Sequence, residues 1–184
     1  KFFIFLIILC YIPVLFLGLF DVDEGAFAST SLQMIKQKQY LMPIIGDELR
    51  LEKPILVYWV QVVSLYVFGA NEFALRLPSI LASIIWAYCF SNFVKQHTHN
   101  VQRSEIFQNL LTLPGVFIIS SAATADAFLN LFITLLMINL FNYSIKRDDN
   151  SLAWSGIYVA LGFLAKGLTI IAICGSVSLV YFLL

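Results

Sequence analysis

The chain has 184 residues, of which 60% are hydrophobic and only 12% are charged. Soluble globular domains are about 45–50% apolar and about 25% charged, so this composition indicates an integral membrane protein. Lys and Arg together number 11, as do Asp and Glu, which excludes a nucleic-acid-binding protein that works through a broad basic surface. The high hydrophobicity and zero net charge also exclude intrinsic disorder.

The first apolar run covers residues 2–20, close to the roughly 20 residues that a membrane-crossing helix needs. A cleaved signal peptide is the alternative, because residues 26–28 read Ala-Phe-Ala, the form of a cleavage site. The run exceeds the roughly 7–15 apolar residues of a signal-peptide core, and three acidic residues precede that site. We therefore predict an uncleaved first transmembrane helix.

Residues 21–53 form the most polar segment and carry ten charged side chains. Apolar side chains recur there at i, i+4 and i+7, which is one face of an amphipathic helix: Ala28, Leu32 and Ile35. Asp23 and Glu24 lie at the predicted N-terminus of this helix. Residues 37–52 contain a proline and a glycine and predict an irregular loop.

Six further apolar runs follow the polar segment. They are residues 54–69, 77–94, 106–123, 127–145, 152–165 and 168–184. The first of the six is short for a membrane span, and the other five are candidate spans. With the first helix, they predict about five to six membrane-crossing helices.

Whether residues 54–69 cross the membrane decides the sidedness of everything that follows. If they lie in the interface, five basic residues face the cytoplasm: Lys1, Lys95, Arg103, Lys146 and Arg147. If they span, only three do: Lys1, Arg76 and Lys166. Because cytoplasmic loops carry an excess of Lys and Arg, we predict an interfacial segment. Residues 21–76, Asp126 and Lys166 then share the exoplasmic face.

Three carboxylates directly follow the first apolar run, at Asp21, Asp23 and Glu24. One or two of them could cap the following helix and interact favourably with its dipole. A general base at the membrane surface is the functional alternative. Asp21 and Asp23 could also hold a divalent cation, since hard cations prefer oxygen ligands.

Five further charged residues lie at the edges of apolar runs, where a charge is costly and marks a candidate site. Glu52 and Lys53 lie where the polar segment re-enters the membrane. Lys53 could snorkel to the interface or bind a phosphate, with Arg76 as a second cation. Asp126 could cap a helix or belong to a site, and Lys166 interrupts an apolar stretch without an acid nearby in the sequence.

Two longer motifs connect these residues. The sequence EKPILVYW occupies residues 52–59, and FGANEFALRLPS occupies residues 68–79. They follow the Asp23-Glu24 pair and precede Asp126 and the sequence FLAKG at residues 163–167. In this order, the motifs resemble the bacterial membrane glycosyltransferases of the GT-C class. The nearest branch resembles the aminoarabinose transferases of lipid A and related protein-mannosyltransferase-like enzymes.

The resemblance implies an all-α fold, a polytopic transmembrane helix bundle of the GT-C type with a helical exoplasmic first loop at residues 21–76. It implies that residues 1–184 are the N-terminal part of such an enzyme. The start at Lys1 and the end inside an apolar run lead to the same expectation. The implied location is the bacterial inner membrane, with the active face on the periplasmic side.

The implied activity is transfer of a sugar from a polyprenyl-phosphate donor to a hydroxyl of lipid A, another glycan or a protein. Asp23 matches the catalytic acidic residue of the family and would act as general base, and Lys53 would bind the lipid phosphate. The other predicted substrate-binding residues are Glu24, Glu52, Arg76, Asp126 and Lys166. No resident cofactor is expected apart from the divalent cation considered above, and the sequence contains no nucleotide-binding motif.

One position departs from the aminoarabinose branch. Those transferases typically read Asp-Glu-Thr-Arg-Tyr in the first loop, whereas residues 23–27 here read DEGAF. Ala26 therefore stands where an arginine would help to hold the phosphate. The chain fits better a broader set of bacterial members of the class.

A transporter or flippase of an anionic lipid or polymer is the alternative function, because it too needs cations at membrane depth. Under that hypothesis Lys53 and Lys166 would be required and Asp23 would not. Internal repeats are typical of transporters, and the sequence contains none. A purely structural scaffold would leave the clustered acids unexplained.

Overall fold

The computed structural model of the protein describes residues 2–19, 22–98 and 100–183, and nearly all regular structure within these ranges is helical. The elements are α1 (Phe2–Val14), α2 (Val22–Gln37), β1 (Ile44–Ile45), β2 (Glu48–Leu49), α3 (Leu56–Phe68), α4 (Glu72–His97), α5 (Arg103–Thr112), α6 (Pro114–Ser121), α7 (Asp126–Lys146), α8 (Asp149–Lys166) and α9 (Thr169–Leu183). The all-α class predicted from the sequence is confirmed.

Helices α4 and α7 are the two, within the described ranges, that are long and apolar enough to cross a bilayer. They coincide with the candidate spans at residues 77–94 and 127–145. Three contacts link them in order: Ser79 Oγ to the Thr124 carbonyl (3.3 Å), Trp86 Nε1 to Thr134 Oγ1 (2.7 Å), and the ring centroids of Phe93 and Phe141 (5.3 Å). Both sets of residue numbers rise together, so the helices run parallel. Their basic last turns, with Lys95 and Lys146, therefore lie on the same side of the bundle.

The candidate span at residues 106–123 is not one continuous helix. Helix α5 ends at Thr112, and α6 begins at Pro114. Proline has no backbone N–H to continue the hydrogen bonding of α5, and it disfavours helical backbone angles in the residue before it. Leu113 accordingly has φ −66° and ψ 127°. The prediction of a single helix was wrong because the apolar composition outweighed this local signal.

Two predictions about the N-terminal elements also need correction. Helix α1 ends at Val14, directly after Pro13, instead of continuing to residue 20. The amphipathic helix is present as α2, but Leu32 lies on its outer side with 39% of its surface exposed. The buried face of α2 is partly polar and includes Thr30 and Ser31. Apolar periodicity therefore located the helix but misassigned part of its packed face.

The segment at residues 37–52 was predicted to be an irregular loop and contains a short hairpin. Strands β1 and β2 pair antiparallel, with Ile44 opposite Leu49 and Ile45 opposite Glu48. Gly46 lies in the tight turn with φ +63°, a conformation that glycine adopts without steric cost. The Gln33 side chain donates to the Gly46 carbonyl (2.6 Å) and accepts from its N–H (3.1 Å). These bonds tie the hairpin to α2.

The largest hydrophobic core lies where α2, α3, α7, α8 and α9 meet. Its buried members include Phe27, Met34, Tyr58 and Ile170. Helices α8 and α9 approach closely at Gly162, where an added Cβ would collide with the side chain of Ile170. Because Ile170 has no exposed surface, the absence of a side chain at position 162 is a packing requirement.

The turn between α7 and α8 is closed by an N-cap. Asp148 accepts hydrogen bonds from the Ser151 hydroxyl (2.9 Å) and from the backbone N–H groups of Asn150 (3.2 Å) and Ser151 (3.3 Å). These donors lower the pKa of Asp148, the Ser151 hydroxyl having the largest effect. The cap satisfies N–H groups that the first turn of α8 leaves without helical partners.

Candidate active site

Asp23 lies in the first turn of α2 and is faced by two cations. Lys53 Nζ is 3.4 Å from Asp23 Oδ2, and Arg50 Nη2 is 3.9 Å from Asp23 Oδ1. The Asp23 side chain is 52% exposed. The structure therefore brings together the predicted Asp23 and Lys53 in an accessible ion-pair cluster, here called the Asp23 cluster (Asp23, Arg50 and Lys53).

Arg50 is the member of this cluster that sequence reasoning missed. Its side chain is only 7% exposed, and its guanidinium lies over the Phe27 ring at 5.1 Å from the centroid. The nitrogen Nη1 is buried and has no hydrogen-bond partner within the described ranges. The Arg50 backbone N–H donates to the Pro43 carbonyl at 2.8 Å, at the base of the hairpin. Its position two residues before the EKP motif was the available signal, but the segment contains nine other charges.

Asp126 and Lys166 form a second ion pair. Asp126 lies in the first turn of α7 and Lys166 in the last turn of α8, and Lys166 Nζ donates to Asp126 Oδ1. Both side chains are partly exposed. A Cβ added to Gly167 would be 3.8 Å from the Pro54 ring, so the residue that follows Lys166 approaches the residue that follows Lys53. Lys166 therefore has the acidic partner that the local sequence did not supply.

Glu24 and Arg76 form a third pair, in which both side chains have no exposed surface. The pair is bidentate: Arg76 Nε donates to Glu24 Oε1 and Nη2 to Oε2, both at 2.9 Å. Arg76 also donates to three carbonyls at the end of α1: Val14 (2.5 Å), Leu17 (2.5 Å) and Gly18 (2.9 Å). Its five N–H donors are all used. The two predicted substrate contacts thus have no surface to offer a ligand in this structure, and they join the end of α1 to the start of α2.

Ala123 connects α2, α3 and the segment before α7. Its backbone N–H donates to Glu24 Oε1 (2.7 Å), and its carbonyl accepts from Gln61 Nε2 (3.1 Å). Gln61 Oε1 in turn accepts from Ser31 Oγ (2.8 Å). All of these groups are buried. Side chains of two helices therefore satisfy both backbone groups of Ala123 in the non-helical segment before α7.

Two further predictions concern an exposed acid and a cation site. Glu52 is exposed and forms no ion pair within the described ranges, so its substrate contact stays a prediction. Among the described residues, no three His, Cys, Asp or Glu side chains lie close enough together to hold a metal ion. Asp21, one of the two predicted ligands of a divalent cation, lies outside the described residues.

The fold and these ion pairs can be compared with known proteins. Residues 52–184 match the family described as dolichyl-phosphate-mannose-protein mannosyltransferase, which is more than half of the chain. The chain belongs to this family. Membership confirms the resemblance to membrane glycosyltransferases that the EKPILVYW and FGANEFALRLPS motifs indicated.

The chain is also similar to curated proteins that share one name. The chain is 29% identical over 171 residues to an undecaprenyl phosphate-alpha-4-amino-4-deoxy-L-arabinose arabinosyl transferase of Wigglesworthia glossinidia brevipalpis, covering 89% of this chain and 30% of the relative. It is 26% identical over 179 residues to the transferase of the same name from Yersinia pestis (strain Pestoides F), covering 92% and 32%. The chain therefore spans about a third of the length of the curated relatives it matches.

Two solved structures share the fold. They are ArnT from Cupriavidus metallidurans in the apo state, with a TM-score of 0.81, and the same protein bound to undecaprenyl phosphate, with a TM-score of 0.89. Each is 21% identical to this chain and is matched over 99% of this chain and 35% of its own. The predicted polytopic GT-C helix bundle is thereby confirmed.

Proposed function

We propose that the full-length protein carrying this chain transfers a sugar from a polyprenyl-phosphate donor to an acceptor hydroxyl, with Asp23 as general base. The observation that carries the proposal is the Asp23 cluster, in which a half-exposed carboxylate at a helix N-terminus is faced by two cations. The names of the curated relatives, which are undecaprenyl-phosphate arabinosyl transferases, support the donor class.

The chemistry needs one base and a set of cations. The acceptor oxygen attacks the anomeric carbon of the donor sugar while its proton passes to the Asp23 carboxylate. The bond from the anomeric carbon to the phosphate oxygen breaks, and the electron pair leaves on the lipid phosphate, with inversion at the sugar. Cations near that phosphate stabilise the developing charge. Lys53 and Lys166 are both partly exposed, so both are available for it.

The active face is proposed to be periplasmic. Asp23 and Lys53 lie in the large first loop, and Asp126 lies at the start of α7. The basic residues Lys95 and Lys146 lie at the opposite ends of α4 and α7. The positive-inside rule assigns those basic ends to the cytoplasm, which leaves the ion pairs on the other side of the membrane. The proposed acceptor is lipid A, another envelope glycan or a protein.

Cells that depend on the full-length protein provide the test. Envelope glycolipids and glycoproteins are analysed by mass spectrometry with the gene present, deleted, and replaced by the Asp23→Asn variant. The expected result is one sugar mass that disappears on deletion and is not restored by Asp23→Asn at equal protein levels. The matched control is Asp47→Asn, an exposed acid of the same loop, which should restore the mass.

Full restoration of the sugar mass by Asp23→Asn would refute the general-base role. If Lys53→Met then failed to restore it, the transporter or flippase alternative would be favoured, since that function requires cations at membrane depth and no base.

A further inference from the structure

The two cations that face Asp23 differ in exposure and in their contacts. The Lys53 side chain, with its flexible four-carbon stem, is 26% exposed, whereas the Arg50 side chain is only 7% exposed. The Arg50 guanidinium is planar and stacks on the Phe27 ring. Each cation approaches a different oxygen of the same carboxylate, Arg50 at Oδ1 and Lys53 at Oδ2. One oxygen of Asp23 therefore faces a buried, stacked guanidinium, and the other faces a more exposed ammonium.

The fixed position of Arg50 is built into the fold. Its backbone N–H bonds to Pro43 and closes the hairpin, and Gln33 ties that hairpin to α2 at Gly46. Helix α2 also carries Phe27, on which Arg50 stacks, and Asp23. Arg50 and Asp23 thus belong to one packed unit that consists of α2 and the hairpin bonded to it.

The energetics of Arg50 also point to a function. A buried N–H without a hydrogen-bond partner costs on the order of 1–3 kcal/mol, and the cost is higher for a charged group. Such groups are rare and are retained mostly where function requires them. Arg50 Nη1 is in that condition, and the ion pair of Nη2 with Asp23 is long at 3.9 Å. Packing alone does not account for an arginine at this position, because an apolar side chain would stack on Phe27 without this cost.

We propose that Arg50 is a positioning residue that fixes the Asp23 carboxylate by its Oδ1 oxygen while Lys53 is drawn to the donor phosphate. When Lys53 leaves, Oδ2 becomes available to the acceptor hydroxyl, and Arg50 keeps the carboxylate oriented and its charge compensated. Donor binding would thereby expose the base. This inference rests on the proposed function and adds a role for a residue that does not itself touch the substrate.

The test compares Arg50→Met, Arg50→Lys and Lys53→Met in the full-length purified protein. Two quantities are measured: the Kd for undecaprenyl phosphate, and the steady-state kcat and KM with the undecaprenyl-phosphate-linked sugar that mass spectrometry identifies. Displacement of a catalytic group by about 1 Å can cost roughly 100-fold in rate. Arg50→Met should therefore lower kcat about 10- to 100-fold, with Kd and donor KM changed less than about threefold. Lys53→Met should weaken undecaprenyl phosphate binding at least about tenfold.

Two further variants separate positioning from folding. Arg50→Lys keeps the charge and should recover part of the lost kcat. Phe27→Leu leaves the guanidinium in place but removes its stacking platform, and it should lower kcat in the same direction by a smaller factor. The matched control is Arg103→Met, which also removes a guanidinium lying over an aromatic ring, at 5.2 Å from the Tyr88 centroid, and should leave both constants unchanged.

The outcomes are distinguishable. If Arg50→Met weakens undecaprenyl phosphate binding as much as Lys53→Met does, Arg50 is a direct phosphate ligand and the positioning role is wrong. If Asp23→Asn is inactive while Arg50→Met transfers sugar at the wild-type kcat, this inference fails and the proposed function stands. If Asp23→Asn is fully active, the proposed general base fails and the inference fails with it.

Discussion

Replacing Arg76 with methionine should remove a strong stabilising contact between α4 and the segment that joins α1 to α2. Methionine keeps much of the side-chain volume but none of the five N–H donors. The substitution leaves the Glu24 carboxylate buried, without the bidentate partner at 2.9 Å. It also leaves the carbonyls of Val14, Leu17 and Gly18 without this donor at the end of α1.

The magnitude follows from the burial of both partners. Because Glu24 and Arg76 each have 0% exposed surface, solvent does not compensate the remaining charge. Removing one partner of a buried ion pair costs about 3–5 kcal/mol. We expect Arg76→Met to lower the free energy of unfolding by that amount, and Glu24→Gln by a similar amount. The double variant should lose less than the sum of the two single variants, since neither charge is then left alone.

Unfolding of the full-length protein in mixed micelles, followed by tryptophan fluorescence, measures these differences. Arg103→Met is the control, because this arginine is exposed and its contacts with Tyr88 and Asn92 should contribute less than about 1 kcal/mol. A loss for Arg76→Met as small as that of the control would refute the reasoning. Additive losses in the double variant would show that the two side chains do not act as a pair.

Three other substitutions test packing and capping. Gly162→Ala should lower the free energy of unfolding by about 1–3 kcal/mol, because the added Cβ displaces the Ile170 side chain. The control is Gly156→Ala on the same helix, where an added Cβ meets nothing within 4 Å, and it should raise the free energy of unfolding by roughly 0.5–1 kcal/mol. Equal effects of the two substitutions would contradict the packing argument. The pKa of Asp148 is lowered by its hydrogen bonds to Ser151 and Asn150. The stability that this N-cap contributes is therefore fully present above the ordinary carboxyl pKa and is lost as the pH falls through the lowered pKa. The unfolding midpoint of Asp148→Ala should therefore lie below that of the wild type at neutral pH and converge with it in acid, and a difference independent of pH would exclude the carboxylate as its cause.

The adjacent acids Asp23 and Glu24 mark the limit of what the sequence could predict. Both follow the first apolar run, and local spacing treats them alike. Only Glu24 is buried, because its partner Arg76 and the Ala123 N–H come from distant parts of the chain. Helices α4 and α7 were predictable from apolar runs, since their length and composition are local properties.

The packed face of α2 was harder to predict for a different reason. Apolar periodicity locates a buried face when the surroundings are aqueous. Here Ser31 is buried against Gln61 while Leu32 points outward. Near a bilayer, small and polar residues often form the helix interface, and apolar residues can face lipid or the interface instead. In this region, hydrophobicity alone therefore does not distinguish the packed face of a helix from its exposed face.

The hydrogen bond from the Ala123 N–H to Glu24 joins residues 99 positions apart in the sequence. This separation sets the earliest time during synthesis at which the bond can form. A ribosome that adds about 5–20 residues per second needs roughly 5–20 s to synthesise the intervening segment. The contact between α2 and the segment before α7 therefore cannot form until the chain has been synthesised as far as Ala123. During that interval the Glu24 carboxylate lacks the Ala123 N–H that completes its final environment.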